Sequence, residues 1–223
     1  MLTIYGATRS RASRNIWLAL EMGIPYKQVP VVQAYRLANP DAADAPMHTK
    51  SPAFLKINPN GHIPSIDDGG LVLHESLAIN LYLAKKYAGT KGAHVFGPRD
   101  IPEDGLMAMW ALWAATEVEP QSIQIMYHRV MKPVEERDPR IADAAVAALR
   151  APFGVLDEAL AANGYLVGGR FTVADLNLAE VVRYAVAAPE LFDAYPRVKA
   201  WLAACQGRDA FKKMWAMRDA EPA

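Results

Sequence analysis

The 223-residue sequence contains a single cysteine, Cys205. One cysteine excludes an internal disulfide and any Cys-x-x-Cys redox pair, so the cytoplasm is the expected compartment. Lysine plus arginine number 24, and aspartate plus glutamate also number 24, so the formal net charge is zero. Because there is no basic excess, the chain lacks the electrostatic signature of proteins that bind nucleic acid or anionic lipid.

Other features are also missing. No apolar run reaches the roughly 20 residues that a transmembrane helix needs. The first residues lack the charged and long apolar segments of a secretory signal peptide. The five histidines, at positions 48, 62, 74, 94 and 128, do not have the spacing of metal ligands. We therefore expect no membrane span, no nucleic-acid partner and no metal.

The first 88 residues alternate between strand and helix signals. A strand is predicted over 2–5, an amphipathic helix over 13–22 with Gly23 as its C-cap, and a second strand over 26–32. Such a strand–helix–strand unit implies parallel pairing through a right-handed crossover. The segment 33–56 is harder to interpret and contains only a possible short helix near its end.

The stretch from Asn58 to Ile79 is the most informative. Pro64 stands at the entrance of a short apolar strand, a position where a proline cannot donate to a sheet and is often cis. Asp67-Asp68-Gly69-Gly70 predicts a hairpin turn into a second strand. That strand runs into a helix over 75–87 whose first turn carries Glu75 and Ser76. This half therefore has the order βαβ followed by ββα.

The second half of the chain is predicted to be helical. Residues 89–101 are rich in glycine, proline and charge and are interpreted as a linker. Helices are expected at about 103–131, 139–162, 172–187, 196–205 and 208–217. Thr172 and Asp175 have the spacing of a capping box at the start of one of them.

These features together resemble the cytosolic glutathione S-transferases, and the segments 58–66, 74–79 and 169–175 carry most of the resemblance. The start of the chain, Tyr-Gly-Ala-Thr-Arg-Ser-Arg-Ala-Ser-Arg over residues 5–14, is most similar to the serine-type, theta-like bacterial members. The resemblance covers nearly the whole chain. It implies a thioredoxin-like glutathione-binding domain over 1–88, a linker over 89–101, and an all-α domain over 102–223.

The family reaction requires the thiol of glutathione as a thiolate. The resemblance selects Ser10 as the hydroxyl that donates a hydrogen bond to that sulfur, with Ser13 as the rival and Tyr5 as a weaker one. Either serine could instead cap the following helix. Arg11 and Arg14 could attract the anionic peptide, although a solvated helix face explains them equally well.

The rest of the predicted glutathione site comes from the same resemblance. Ser76 is expected to hold the γ-glutamyl carboxylate and Glu75 the ammonium group. Ile63 is expected to pair its backbone with the cysteinyl part of the ligand, in a geometry fixed by Pro64. His62 is a candidate for the glycyl carboxylate; an exposed loop histidine is the alternative, and His48 could do similar work.

The second substrate is expected to be a small hydrophobic electrophile. Met107, Trp110 and Ala114 lie at helical spacing and are candidates for its pocket, although such residues are more often ordinary core. A homodimer is implied by the resemblance alone.

The resemblance implies glutathione transfer to an electrophile, and therefore detoxification, as the leading function. Peroxidase, isomerase or dehalogenase chemistry on the same thiolate is an alternative. A protein that binds glutathione or a partner without turnover is another. Glutaredoxin-like exchange is disfavoured because the first half has no cysteine.

Overall fold

The structure is a computed structural model that describes residues 1–89 and 95–221. The chain divides into two compact units. One is built from Met1–His94 together with Asp209–Ala223, and the other from Val95–Arg208. No helix among the described residues is long and apolar enough to cross a membrane.

Four short strands form the sheet of the first unit: β1 (Leu2–Tyr5), β2 (Tyr26–Val29), β3 (Ser65–Asp68) and β4 (Leu71–His74). Their order is β2-β1-β3-β4. β1 pairs in parallel with β2, while β3 is antiparallel to both β1 and β4. The predicted βαβ and ββ connections are therefore confirmed. The second strand is shorter than predicted and ends at Val29.

The described residues contain ten α-helices: α1 (Ala12–Met22), α2 (Pro52–Leu55), α3 (Ser76–Lys86), α4 (Ile101–Trp113), α5 (Glu119–Met126), α6 (Pro139–Ala159), α7 (Val173–Val182), α8 (Pro189–Ala194), α9 (Pro196–Gln206) and α10 (Asp209–Ala220). Gly23 ends α1 in the left-handed conformation, at φ 64°, as the sequence predicts. The short helix α8 was not predicted.

The helical unit begins with one long helical stretch. α4 continues into α5 through a π-helical turn at Ala114–Val118, and a second such turn, Tyr127–Met131, follows α5. At the start of α7, Asp175 Oδ2 accepts hydrogen bonds from Thr172 N at 2.9 Å and from Thr172 Oγ1 at 3.1 Å. The predicted capping box is therefore confirmed, with both residues fully buried.

The last helix, α10, belongs to the first unit. Phe211 packs edge-to-face on Trp17 of α1, with ring centroids 5.0 Å apart, and stacks on Trp215. The sequence placed residues 102–223 in one helical domain, whereas the contacts of this aromatic cluster place residues from Asp209 onward with the sheet. In the predicted linker 89–101, residues 90–94 lie outside the described residues.

Candidate functional site

The strand register brings three loops to one end of the sheet. Tyr5, the last residue of β1, is opposite Ser65, the first residue of β3. Ser65 is in turn opposite His74, the last residue of β4. The loop after β1, the turn before β3 and the start of α3 therefore emerge from the same edge. These three segments carry the residues of the principal predicted glutathione site, Ser10, His62, Ile63, Pro64, Glu75 and Ser76.

Ser10 lies in the loop between β1 and α1 and is half-buried. Its Oγ donates a hydrogen bond to the carbonyl of Ala7 at 2.6 Å and accepts one from the amide of Ala12 at 3.0 Å. The hydroxyl therefore stabilises the entrance of α1, which is the capping role that the sequence left open. Donation to a ligand requires the O–H to rotate away from Ala7.

The rival serine is in a different environment. Ser13 lies within α1 and is completely buried. Arg14, next to it, is 1% exposed and so does not lie on a solvated face of the helix. Arg11, by contrast, is exposed. Of the two candidate serines, only Ser10 is partly accessible from solvent.

The turn before β3 contains a cis peptide bond between Ile63 and Pro64, at a position where the sequence indicated that a proline is often cis. Gly6, at φ +148°, faces this turn: a Cβ added there would lie 3.5 Å from Ile63 Cβ, 3.7 Å from Pro64 Cα and only 2.9 Å from Ala12 Cβ. A larger residue at position 6 would therefore push the turn and α1 apart. Within residues 1–89 and 95–221, no hydrogen bond involves the backbone of Ile63.

The start of α3 is built around an unusual backbone conformation. Glu75 has φ 71° and is the one non-glycine residue with a positive φ among those described. Such strain persists only where the surrounding structure imposes it, and it is often found at binding sites. The Glu75 side chain is 76% exposed, with its carboxylate 3.7 Å from His74 Nδ1.

Ser76, the first residue of α3, is held in place by hydrogen bonds from side chains of α1. Arg14 Nη1 donates to Ser76 Oγ at 3.0 Å, and Asn15 Nδ2 donates to the carbonyl of Ser76 at 2.9 Å. Asn80 ties the two helices further, since it accepts from Asn15 at 2.7 Å and donates to the Arg14 carbonyl at 3.2 Å. This buried polar network fixes the position of the α3 N-terminus.

The two histidine candidates are placed differently. His62 is exposed, and its backbone carbonyl accepts a hydrogen bond from Asn58 Nδ2 at 2.8 Å. His48 is 7% exposed, and its Nδ1 accepts from the amide of Lys50 at 3.2 Å. His48 also forms a parallel bridge with Val32. The ring of His48 therefore holds a loop together, while that of His62 faces solvent.

The residues predicted for the electrophile pocket lie in the helical unit. Met107 and Trp110 are in α4 and Ala114 follows it, and all three are buried, at 1%, 7% and 0% exposure. Trp110 packs edge-to-face on Trp113 with ring centroids 5.1 Å apart.

Comparisons with known proteins identify the family to which the chain belongs. The family model for the glutathione S-transferase N-terminal domain matches residues 4–91, and that for the C-terminal domain matches residues 138–204. A probable glutathione S-transferase of rice, GSTF1, is 31% identical over 224 residues, which cover 96% of this chain and 95% of the rice protein. The chain belongs to the glutathione S-transferase family.

Other members of the family are similar over most of their length. Mouse glutathione S-transferase theta-1 is 30% identical over 88% of this chain and 87% of the mouse protein. The crystal structure of a theta-class glutathione S-transferase from Xanthomonas axonopodis pv. citri, solved with glutathione bound, is 28% identical, with a TM-score of 0.74 over 95% of both chains. The predicted fold is confirmed, and the predicted transferase function is confirmed as that of the family.

Sequence reasoning named Arg14 only as a group that attracts the peptide or lies on a solvated face, and it missed the buried hydrogen-bond network between α1 and α3 that supports the candidate site. Arg14, Asn15 and Asn80 have 1%, 0% and 0% exposure, and all three hydrogen-bond across the interface between α1 and α3. The available signal was the presence of large polar residues on the buried face of an amphipathic helix. Buried polar groups need partners, so such residues indicate a network.

Proposed function

We propose that this protein binds glutathione at the end of the sheet formed by Ser10, Ile63-Pro64 and Glu75-Ser76, and that it activates the thiol for attack on a small hydrophobic electrophile. The observation that carries the proposal is the strand register, which brings these three segments to one edge of the sheet. The glutathione-bound relative supports the choice of ligand.

The proposed pose assigns one group to each end of the peptide. The backbone of Ile63, which has no hydrogen bond to other described residues, pairs with the cysteinyl unit of glutathione. Ser76 holds the γ-glutamyl carboxylate. Because Ser76 Oγ accepts from the Arg14 guanidinium, its own proton is directed toward another acceptor, such as a carboxylate. The exposed carboxylate of Glu75 accepts from the ammonium group, and His62 reaches the glycyl end.

Ser10 supplies the chemical activation. A free thiol titrates near pH 8.5, so only a few per cent is ionised at neutral pH. Lowering that pKa by about two units requires about 2.7 kcal/mol of extra stabilisation of the anion. A hydroxyl donor near the N-terminus of α1 can supply much of it. The thiol proton passes to water, and the thiolate then forms the C–S bond to the electrophile. In a substitution the leaving group departs with its bonding electron pair, and in an addition the neighbouring carbon takes up a proton from water.

The remaining features of the proposal rest on the family and on the surface. Met107, Trp110 and Ala114 contribute to the electrophile site. The chain is of the serine type, theta-like and cytoplasmic.

Leu106, Met109 and Leu112 are 43%, 48% and 68% exposed along one side of α4. This apolar surface suits a second copy of the chain in a homodimer.

The proposal is tested with matched serine variants. Ser10→Ala is expected to leave glutathione affinity within a few-fold, to raise the pKa of the bound thiol by about two units, and to lower turnover accordingly. Ser13→Ala, which removes a buried hydroxyl from the adjoining helix α1, is expected to leave that pKa unchanged. The thiolate absorbance of bound glutathione, titrated against pH, reports it directly.

An unchanged titration in Ser10→Ala would reject the role of this serine. A panel of electrophiles and peroxides, assayed with the wild-type protein, then identifies the reaction. Retention on a glutathione column without turnover on any member of the panel would point instead to a binding protein.

A further inference from the structure

The carboxylate of Glu221, near the end of the chain, is bound by the loop that carries Ser10. Glu221 Oε1 accepts a hydrogen bond from the amide of Thr8 at 2.7 Å, and Oε2 accepts one from the amide of Arg9 at 2.9 Å. Gln28 Nε2 also donates to Oε1, at 3.3 Å. Two consecutive backbone amides and one side-chain amide thus surround a single carboxylate.

Further hydrogen bonds tie the same loop to the last turn of α10. Arg9 Nε donates to the carbonyl of Arg218 at 2.9 Å, and Arg218 Nη1 donates to the carbonyl of Thr8 at 3.3 Å. Gln28 Nε2 donates to the carbonyl of Gly6 at 2.9 Å and to Thr8 Oγ1 at 3.1 Å. The loop is therefore held along its length from Gly6 to Arg9 by polar groups on β2, α10 and the residue that follows α10.

The attachment lies next to the proposed catalytic hydroxyl. Thr8 and Arg9 are the two residues between Ala7, whose carbonyl accepts from Ser10 Oγ, and Ser10 itself. These hydrogen bonds hold the backbone of the two residues that precede Ser10. They therefore also restrict the position of the Ser10 side chain. Hydrogen bonds with an ionised donor or acceptor are about twice as strong as neutral ones, and the Glu221 carboxylate makes two short ones, to the amides of Thr8 and Arg9.

From this geometry, and resting on the proposed function, we propose that Glu221 is a positioning residue for the transferase reaction, which holds the Thr8–Ser10 segment where the Ser10 hydroxyl serves the thiol of glutathione. The carboxylate touches neither substrate in this account. It acts through the loop, from a position more than 200 residues away in sequence.

Two substitutions remove the hydrogen bonds of the Glu221 carboxylate in part or completely. Glu221→Gln keeps one oxygen acceptor and loses the charge, whereas Glu221→Ala loses both. Asp219→Asn is the matched control, because it removes the same charge from an exposed side chain two residues away. We expect Glu221→Ala to raise the pKa of the bound thiol by about one unit and to lower kcat about tenfold, Glu221→Gln to have a smaller effect, and Asp219→Asn to have none. Glutathione affinity should change less than kcat.

A double-mutant cycle with Ser10→Ala separates positioning from general stability. If Glu221 acts through Ser10, Glu221→Ala adds no further rise in thiol pKa when Ser10 is already alanine. An equal rise in both backgrounds would overturn the proposal, as would unchanged kinetics in Glu221→Ala. A faster Glu221→Ala enzyme would also overturn it, because the carboxylate would then obstruct the site.

The same measurements distinguish a failure of the role proposed for Ser10 from a failure of the role proposed for Glu221. If Ser10→Ala alone leaves the thiol pKa unchanged, the proposed activating role of Ser10 fails and the positioning role of Glu221 fails with it. If Ser10→Ala raises the pKa but Glu221→Ala does not, only the positioning role is wrong.

Discussion

The two ends of the four-stranded sheet differ in how far their polar groups are satisfied by hydrogen bonds within the protein. At one end Asp68, whose side chain is 4% exposed, accepts hydrogen bonds from Lys86 Nζ at 2.7 Å, Tyr87 Oη at 3.0 Å and Tyr82 Oη at 3.2 Å. At the other end, Glu75 has a strained backbone, and the Ile63 backbone makes no hydrogen bond within the described part of the chain.

We propose that the first end is structural and that the second is the binding end. The Asp68 carboxylate is satisfied by three groups from the last turns of α3, so it fastens that helix to β3. Burial raises the pKa of Asp68, but the hydrogen bonds from Lys86 and Tyr87 outweigh it and hold that pKa below its ordinary value. The backbone groups of Ile63 at the opposite end, which have no partner among the described residues, are groups that a peptide ligand can satisfy.

The largest expected effect is at the binding end. Ser76→Ala removes the hydroxyl that we propose binds the γ-glutamyl carboxylate. A hydrogen bond to a charged group contributes about 1.5–3 kcal/mol, so glutathione affinity should fall roughly tenfold to a hundredfold. Isothermal titration calorimetry measures it, and Ser122→Ala, which removes a buried serine hydroxyl from the helical unit, is the control that should leave affinity unchanged. Full affinity in Ser76→Ala would remove this residue from the site.

A substitution at the structural end should change the stability of the protein rather than its affinity for glutathione. Asp68→Asn keeps the shape but loses the charge that three donors share, so we expect the free energy of unfolding to fall by about 2 kcal/mol. Glutathione affinity should stay unchanged. Urea unfolding at neutral pH, with affinity measured in parallel, checks both. A loss of affinity without a loss of stability would contradict the division between the two ends.

The same carboxylate gives a pH dependence. Because the pKa of Asp68 is lowered in the folded state, its contribution to stability is fully present above the unfolded-state pKa of about 4 and is lost as pH falls through the folded-state value. The stability difference between wild type and Asp68→Asn should therefore shrink below about pH 4. A difference that stays constant down to pH 2 would show that the effect is not electrostatic.

A smaller effect is expected from a satisfied polar group in the helical unit. Thr172→Ala removes the N-cap of α7 and should lower the free energy of unfolding by about 1 kcal/mol, while Thr172→Ser should retain most of it. Chemical unfolding of the two variants makes the comparison. Equal losses in both would mean that the buried methyl group, rather than the cap, matters.

The smallest expected effect is at His62. Because its side chain is exposed, replacement by alanine should weaken glutathione binding by no more than a few-fold and leave stability unchanged. Calorimetric titration at two salt concentrations tests it, since a contact with the glycyl carboxylate should weaken with added salt. A loss as large as that of Ser76→Ala would make His62 a principal ligand.

Much of the fold could be predicted because its signals are local. The C-cap at Gly23, the hairpin at Asp67–Gly70 and the capping box of Thr172 and Asp175 each occupy a few adjacent residues. The candidate site could be proposed because Pro64 and the pair Glu75-Ser76 lie on either side of that hairpin, within one continuous segment.

The rest depends on contacts between residues far apart in sequence. Nothing local pairs Glu221 with Thr8, Arg14 with Ser76, or Asp68 with Lys86. The same reason explains why α10 was assigned to the helical domain: its place is set by the packing of Phe211 on Trp17, across almost the whole chain. Such pairings are fixed by the folded topology rather than by periodicity.

The most direct test of the account is a crystal structure of the protein with glutathione bound. The account predicts the peptide at the Ser10, Ile63 and Ser76 end of the sheet, with its sulfur within hydrogen-bond distance of Ser10 Oγ and its γ-glutamyl carboxylate on Ser76. A complex whose sulfur points away from the loop between β1 and α1, or whose peptide lies elsewhere on the protein, would contradict it.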